Sequence, residues 1–270
     1  MRAFVLMAIT LLSLTSSGCF AISDLGRFEP DEGCDVDLDL QGFTPHAEDL
    51  FELRVVKIVE GSTTPFLSAR AILDPMGAVN ARIVMLDAAP AGHAALDFYS
   101  DENNDDLYTD PPDDHVWRID DACVSPTRVF VHRFDFVNLT EPIAIGEDFT
   151  LSLSGMNADG NALEVRVISM PPAGVDEPPP ARTVGLYRKA AVTQSDFDVT
   201  IPGIIDLGSS YQVTIWSDKT GDGVYDSPLL GPDEGDESWI IPALGSDLTS
   251  ASFAHLEDYN EIADVVVELR

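Results

Sequence analysis

From residue 34 onward the chain is built of short runs in which apolar and polar residues alternate, separated by turn residues. Val36-Asp-Leu-Asp-Leu40 and Phe149-Thr-Leu-Ser-Leu153 show the pattern most simply. A period of two puts successive apolar side chains on one face of a strand, and no long window carries a helical period. The runs predict strands over Val36–Leu40, Phe51–Val55, Ala69–Leu73, Arg82–Leu86, Ala95–Tyr99, Val116–Ile119 and Arg128–Phe136. They continue over Phe149–Leu153, Leu163–Ile168, Arg182–Leu186, Phe197–Ile201, Tyr211–Trp216, Trp239–Ile241 and Ser252–Tyr259, and Ala263–Leu269 closes the chain.

The same words recur in the same order. Phe51-Glu-Leu-Arg-Val-Val56 returns as Leu163-Glu-Val-Arg-Val-Ile168, and the Asp-rich run Asp101–Pro111 returns as Asp218–Pro228. Asp114-His-Val-Trp-Arg-Ile119 matches Asp236-Glu-Ser-Trp-Ile-Ile241. Phe130-Val-His132 with Phe136 matches Phe253-Ala-His255 with Tyr259. Ordered matches with small insertions predict an internal duplication. About seven short strands in roughly 110 residues fit a β-sandwich. The expected fold is all-β: two tandem antiparallel β-sandwich domains, immunoglobulin-like or transthyretin-like, over 34–143 and 144–270. The boundary near Glu141–Glu147 is short, which predicts a fixed or semi-fixed tandem. The proline-rich stretch Met170–Ala181 reads as an exposed loop.

The N-terminus changes the address. Met1-Arg2, an apolar run over Ala3–Leu14 and the small residues before Cys19 form an export signal. That run is shorter than the about 20 residues a membrane-spanning helix needs. Ending in Ser17-Gly18-Cys19, it resembles the signal of bacterial lipoproteins, with Ser16 standing where that motif usually has Leu. The resemblance implies a signal over 1–18, a lipid anchor on Cys19 and an acidic tether over 19–33. It also implies an outer-membrane location, favoured by Phe20 in place of Asp, facing the periplasm or the surface. A secreted protein cut nearby is the alternative. If Cys19 is lipidated, Cys34 and Cys123 remain, and in an oxidising compartment they most simply pair; two free thiols are the other reading.

The formal charge of −32 excludes nucleic-acid binding in practice, because phosphate backbones repel such a chain. Hydrophobic residues make up 45% of the chain, enough for packed cores. The acidity turns attention to divalent cations. Calcium takes six to eight oxygens, supplied by a short loop only when carboxylates alternate with residues that turn the backbone. Asp218, Thr220 and Asp222 hold positions 1, 3 and 5 of such a loop, with Gly223 at 6, the Val224 carbonyl at 7 and Asp226 at 9. The first run places Asp101, Asn103, Asp105, the Leu107 carbonyl and Thr109 likewise, with Asp106 replacing the glycine. The loops resemble those of dockerins, thrombospondin type 3 repeats and EF-hands, which implies calcium as the ligand. The resemblance stops at position 12, where Leu229 and Pro112 replace an acid; Asp233, Glu234, Asp236 and, in the first loop, Asp110, Asp113 and Asp114 offer spare carboxylates. The plain alternative is a hairpin whose tip, Asp222-Gly223, is a type I′ turn.

No zinc-protease, nucleophile-elbow or phosphate-loop motif is present. His132 and His255 share strand parity with Phe130, Phe134 and Phe136, and with Phe253 and Tyr259, so they read as structural core residues; His46, His93 and His115 have no second counterparts. Trp117 and Trp239 read as core, and Trp216 as part of an exposed aromatic patch. The sequence predicts a non-catalytic, calcium-stabilised envelope lipoprotein that acts in binding, adhesion or scaffolding, with an unnamed protein or glycan partner. The rivals are a carbohydrate- or peptide-binding module without obligatory calcium, and a hydrolase whose interdomain site uses His46, His93 or His115.

Overall fold

A computed structural model describes residues 33–123, 127–172, 174, 178–230, 235–244, 249–260 and 262. The signal over 1–18, Cys19, the tether as far as Glu32, Asp233, Glu234 and the closing run Ala263–Leu269 lie outside the described residues. The chain is all-β. Its strands are β1 (Cys34–Gln41), β2 (Phe51–Lys57), β3 (Phe66–Asp74), β4 (Ala81–Ala89), β5 (Ala94–Ser100), β6 (His115–Ile119) and β7 (Arg128–Val131). Then follow β8 (Glu147–Ser154), β9 (Leu163–Met170), β10 (Arg182–Lys189), β11 (Phe197–Ile205), β12 (Ser210–Ser217), β13 (Glu237–Leu244) and β14 (Ser250–Ala254). Among the described residues two 3-10 turns, Thr44–His46 and Pro228–Leu230, interrupt the loops.

Eight strands form one sheet in the order β13-β12-β9-β10-β3-β2-β5-β6. From its centre it reads β3-β2-β5-β6 one way and β10-β9-β12-β13 the other. Two small sheets, β4-β1-β7 and β11-β8-β14, complete the layers. The expected all-antiparallel sheets need correction, because β1 pairs with β7, β8 with β14 and β3 with β10 in parallel. None of these pairs is joined by a hairpin, so no tight turn forces them antiparallel.

The β3–β10 seam fixes how the halves meet. Leu186 is registered against Ala71, and Tyr187 against Ile72. Leu186 and Ala71 belong to a core with Leu38, Phe51, Leu53, Phe98 and Trp117. Tyr187 and Ile72 belong to a second core with Phe149, Val165, Val167, Ile201 and Trp239. Neighbouring residues of a strand point to opposite faces. The two cores, with the small sheets that cover them, therefore lie on opposite faces of one continuous sheet. Each half also lends a side chain to the other's core.

The connection between the halves is itself hydrogen-bonded. Leu67 N donates to the Ile143 carbonyl at 2.8 Å, Ile143 N to the Pro65 carbonyl at 2.9 Å and Ile145 N to the Gly203 carbonyl at 2.9 Å. A β-carbon on Gly146 would stand 2.1 Å from the Ile205 carbonyl oxygen, so only glycine lets these segments close.

The polar positions of the central strands are buried as well. Glu52 and Arg54 on β2 face away from the first core, where Tyr99 and the Tyr108–Leu139 contact cover them. Arg54 donates to Glu52 at 2.5 Å and to Glu141 at 2.6 Å. In the second half Glu164 accepts from Arg166 at 2.6 Å and from Arg188 at 2.6 Å, and all three are nearly fully buried. Trp216, expected in an exposed patch, is buried on this same face, with its indole N–H on Asp236 at 2.8 Å.

Two further expectations are corrected at the strand ends. The runs Arg128–Phe136 and Ser252–Tyr259 stop pairing at Val131 and Ala254. Trp117 Nε1 takes the Arg133 carbonyl at 2.9 Å and Trp239 Nε1 takes the Leu256 carbonyl at 3.0 Å, turning each chain off its sheet. His132 still shares the face of Phe130, both rings meeting Phe43 and Trp117, but Phe134 is 76% exposed. Trp117 and Trp239 are buried as expected.

Cys34 and Cys123 form a disulfide, with Cα atoms 5.8 Å apart. Such a bond fits an oxidising, extracytoplasmic setting. Among the described residues no helix is long and apolar enough to cross a membrane.

Candidate functional site

Both Asp-rich loops leave the same end of the large sheet. β5 and β12 are each antiparallel to a strand that is antiparallel to the seam, and the seam strands run parallel, so their C-termini point one way. Five strand spacings separate β5 from β12, or about 24 Å.

The first acid organises each loop. Asp101 Oδ2 accepts from Asp106 N at 2.8 Å, and its Oδ1 from Asp105 N at 3.3 Å. Asp218 Oδ1 accepts from Gly221 N at 2.7 Å, and its Oδ2 from Gly223 N at 2.9 Å. The backbone curls identically, with positive φ at Asn104 and Asp106 in one loop and at Gly221 and Gly223 in the other. The left-handed residue expected at position 6 is therefore present in both. A type I′ tip needs positive φ at two central residues, and Asp222 does not have it.

The other predicted ligands are outside that anchor. Asp105, Asp222 and Thr220 are exposed, and Thr109 and Asp226 are half-buried. Asn103 Nδ2 donates to Thr109 Oγ1 at 3.2 Å. Leu107 and Val224 present their side chains to solvent and could offer only carbonyls.

A second carboxylate in each half carries more of the site than its sequence position suggested. Asp236 Oδ2 accepts from Asp226 N at 2.9 Å, and its Oδ1 from Thr220 N at 3.2 Å. Asp114 Oδ2 accepts from Thr109 N at 2.6 Å, but its Oδ1 is buried and has no well-formed hydrogen bond among the described residues. Burial pushes the Asp114 carboxyl above the usual carboxylate range despite the Thr109 amide, and the Asp101 charge adds to this. Burial raises Asp218 too, against the Gly223 and Gly221 amides, with Asp236 adding to it. Each half thus closes a pair of buried acids under its loop. The signal was present in the sequence, since Asp114 and Asp236 stand three residues before the repeated Trp.

Beside the first loop lies a cluster that sequence reasoning missed. His46 on the Thr44–His46 turn is fully buried, and its Nε2 stands 2.9 Å from His132 Nε2 and 3.4 Å from His115 Nδ1. His46 Nδ1 faces Asp49 Oδ2 at 3.2 Å and also contacts Glu102 Oε1. Burial, reinforced by His46 and His115, lowers His132, and burial lowers His115 against the pull of Glu102. His132 is thus hydrogen-bonded within a polar cluster while its ring meets the core aromatics Phe43 and Trp117. The three histidines named for an interdomain site do not share a pocket. His93 lies at the other end, lining a cavity of 520 Å³ with Lys57 and Glu60.

No protein-family model matches the chain, and no curated protein matches it. A solved structure of the Streptococcal ancillary pilin aligns with 83% of this chain and 63% of its own, at 12% identity and a TM-score of 0.15. The chain spans less than two thirds of that pilin, and so loose an alignment carries no argument.

Proposed function

We propose that the chain is a duplicated, exported and non-catalytic binding or scaffolding protein whose two Asp-rich loops hold calcium at one end. The observation that carries this reading is Asp114, buried beside Asp101, whose Oδ1 has no well-formed hydrogen bond among the described residues. A buried anionic oxygen without a partner is costly, and a divalent cation supplies the missing charge. The matching strand order of the two halves supports the duplication, and so do the matching indole bonds of Trp117 and Trp239. The export signal, the resemblance at Cys19 and the disulfide support an envelope lipoprotein tethered to the outer membrane. Two rigid loops about 24 Å apart on one end suit a bidentate grip on an extended partner, protein or glycan. Exposed Phe134 at this end favours, as a second reading, an aromatic contact with such a partner without obligatory calcium.

The test is a pair of melting curves, in chelator and in millimolar calcium. Calcium should raise the melting temperature of the wild type, by the equivalent of about 2.7 kcal/mol at a hundredfold excess over its Kd. Asp114→Asn combined with Asp236→Asn should remove most of that gain. In chelator, Asp114→Asn alone should melt no lower than wild type, because it removes a charge that burial disfavours. A wild type indifferent to calcium would reduce both loops to self-capped turns.

A further inference from the structure

The geometry points to a second, chemically distinct ion site: a divalent transition metal of the zinc class held by His46 Nε2, His115 Nδ1 and His132 Nε2, beside the first Asp-rich loop. The three nitrogens all lie within 4.8 Å of one another. Zinc binds imidazole nitrogen at about 2.0–2.1 Å, which sets tetrahedral ligand nitrogens about 3.3–3.4 Å apart. The His46–His115 separation of 3.4 Å matches, and the His46–His132 separation of 2.9 Å needs only a small opening.

The outer groups are arranged as a metal site requires. His46 Nδ1 faces the carboxylates of Asp49 and Glu102, which hold its proton there and leave the Nε2 lone pair toward the other two rings. Asp49 is itself steadied by Ser100 Oγ at 3.2 Å. His115 stacks on Phe136 at 4.1 Å, and His132 packs edge-on to Trp117 at 5.6 Å, so neither ring has to be ordered on binding. Glu102 stays on the Nδ1 side of His46, which leaves the fourth position to water. Three imidazole nitrogens suit zinc and its neighbours, not calcium.

A plain hydrogen-bonded histidine cluster explains the arrangement less well. The one lone pair on His46 Nε2 can accept from His132 or from His115, yet both nitrogens point at it. The second half shows what a hydrogen-bonded solution looks like. There Glu237 begins β13 as His115 begins β6, and it gathers Tyr259 at 3.0 Å, Asn157 at 3.2 Å, His255 at 3.3 Å and Lys219 at 3.6 Å. One acid is surrounded by donors and a cation. In the first half three imidazole nitrogens converge instead, with no acid among them.

The test is equilibrium dialysis of untagged full chain against zinc, with millimolar calcium present throughout. One zinc per chain is expected, undisturbed by calcium. Second-sphere losses cost about 10–100-fold in metal affinity, so His132→Gln or His115→Gln should cost about 100-fold or more, and Asp49→Asn, a positioning change, about tenfold. His255→Gln and His93→Gln should bind as wild type. Melting curves in chelator separate loss of a ligand from loss of the fold, and half-exposed His115 serves if His132→Gln does not fold. Failure to retain zinc, or retention unchanged in both His132→Gln and His115→Gln, overturns the assignment.

Discussion

Glu164→Ala is expected to be among the most damaging single changes in this molecule, lowering stability by about 3–5 kcal/mol. The carboxylate is 2% exposed and serves two guanidiniums, Arg166 and Arg188, that are 3% and 1% exposed. Removing it leaves two buried cations, and Arg166 Nη2 already has no partner. At about 2–4 °C per kcal/mol for a chain of this size, the melting temperature should fall by roughly 10 °C or more. Glu52→Ala should cost less, because Arg54 keeps Glu141, which is largely exposed. A pH series distinguishes charge from packing. Burial acts to raise the Glu164 carboxyl, but Arg166 and Arg188 together outweigh it and its folded value lies below the ordinary 4.5. The ionic contribution is therefore complete above that value and lost as pH falls through the lower folded one. Urea unfolding of wild type and Glu164→Gln should show a gap that is wide at pH 7 and narrows in acid; a gap that ignores pH would refute the ionic account.

Removing the disulfide should rank beside it. Cys34 and Cys123 are 89 residues apart, and closing a loop of that size stabilises by about 4–5 kcal/mol in the chain-entropy treatment. The bridge ties the start of β1, the central strand of a small sheet, to the turn before its edge strand β7. Cys34→Ala with Cys123→Ala should melt roughly 10–15 °C lower. Wild type in reductant should behave like the double variant once its thiols are shown to be free. Identical melting of oxidised and reduced protein would show that the fold already holds that loop closed.

The strands, the repeated loop turn and the Cys34–Cys123 pairing were legible because each depends on neighbours in sequence or on simple counting. The buried charges were not. Alternation in Phe51-Glu-Leu-Arg-Val says that Glu52 and Arg54 share a face, but not that Tyr108, Leu139 and Glu141 will cover it. The seam was equally hidden, since nothing in Arg182–Lys189 announces that it will pair with Phe66–Asp74. The histidine cluster was hidden for a related reason. His46 lies 69 residues from His115 and 86 from His132, and only the shared end of the fold brings their rings together.

The parallel seam also limits what can be built from these parts. A contact that joins like edge to like edge is self-complementary and closes on itself, whereas head-to-tail contacts propagate into rings or filaments. Here β3 and β10 occupy the same place in the strand order of their halves, and each saturates the other. Neither of these two edges is left vacant. A third unit of the same design would find no vacant edge of that kind, only the outer strands β6 and β13, so length could be gained by a different kind of junction but not by repeating this one.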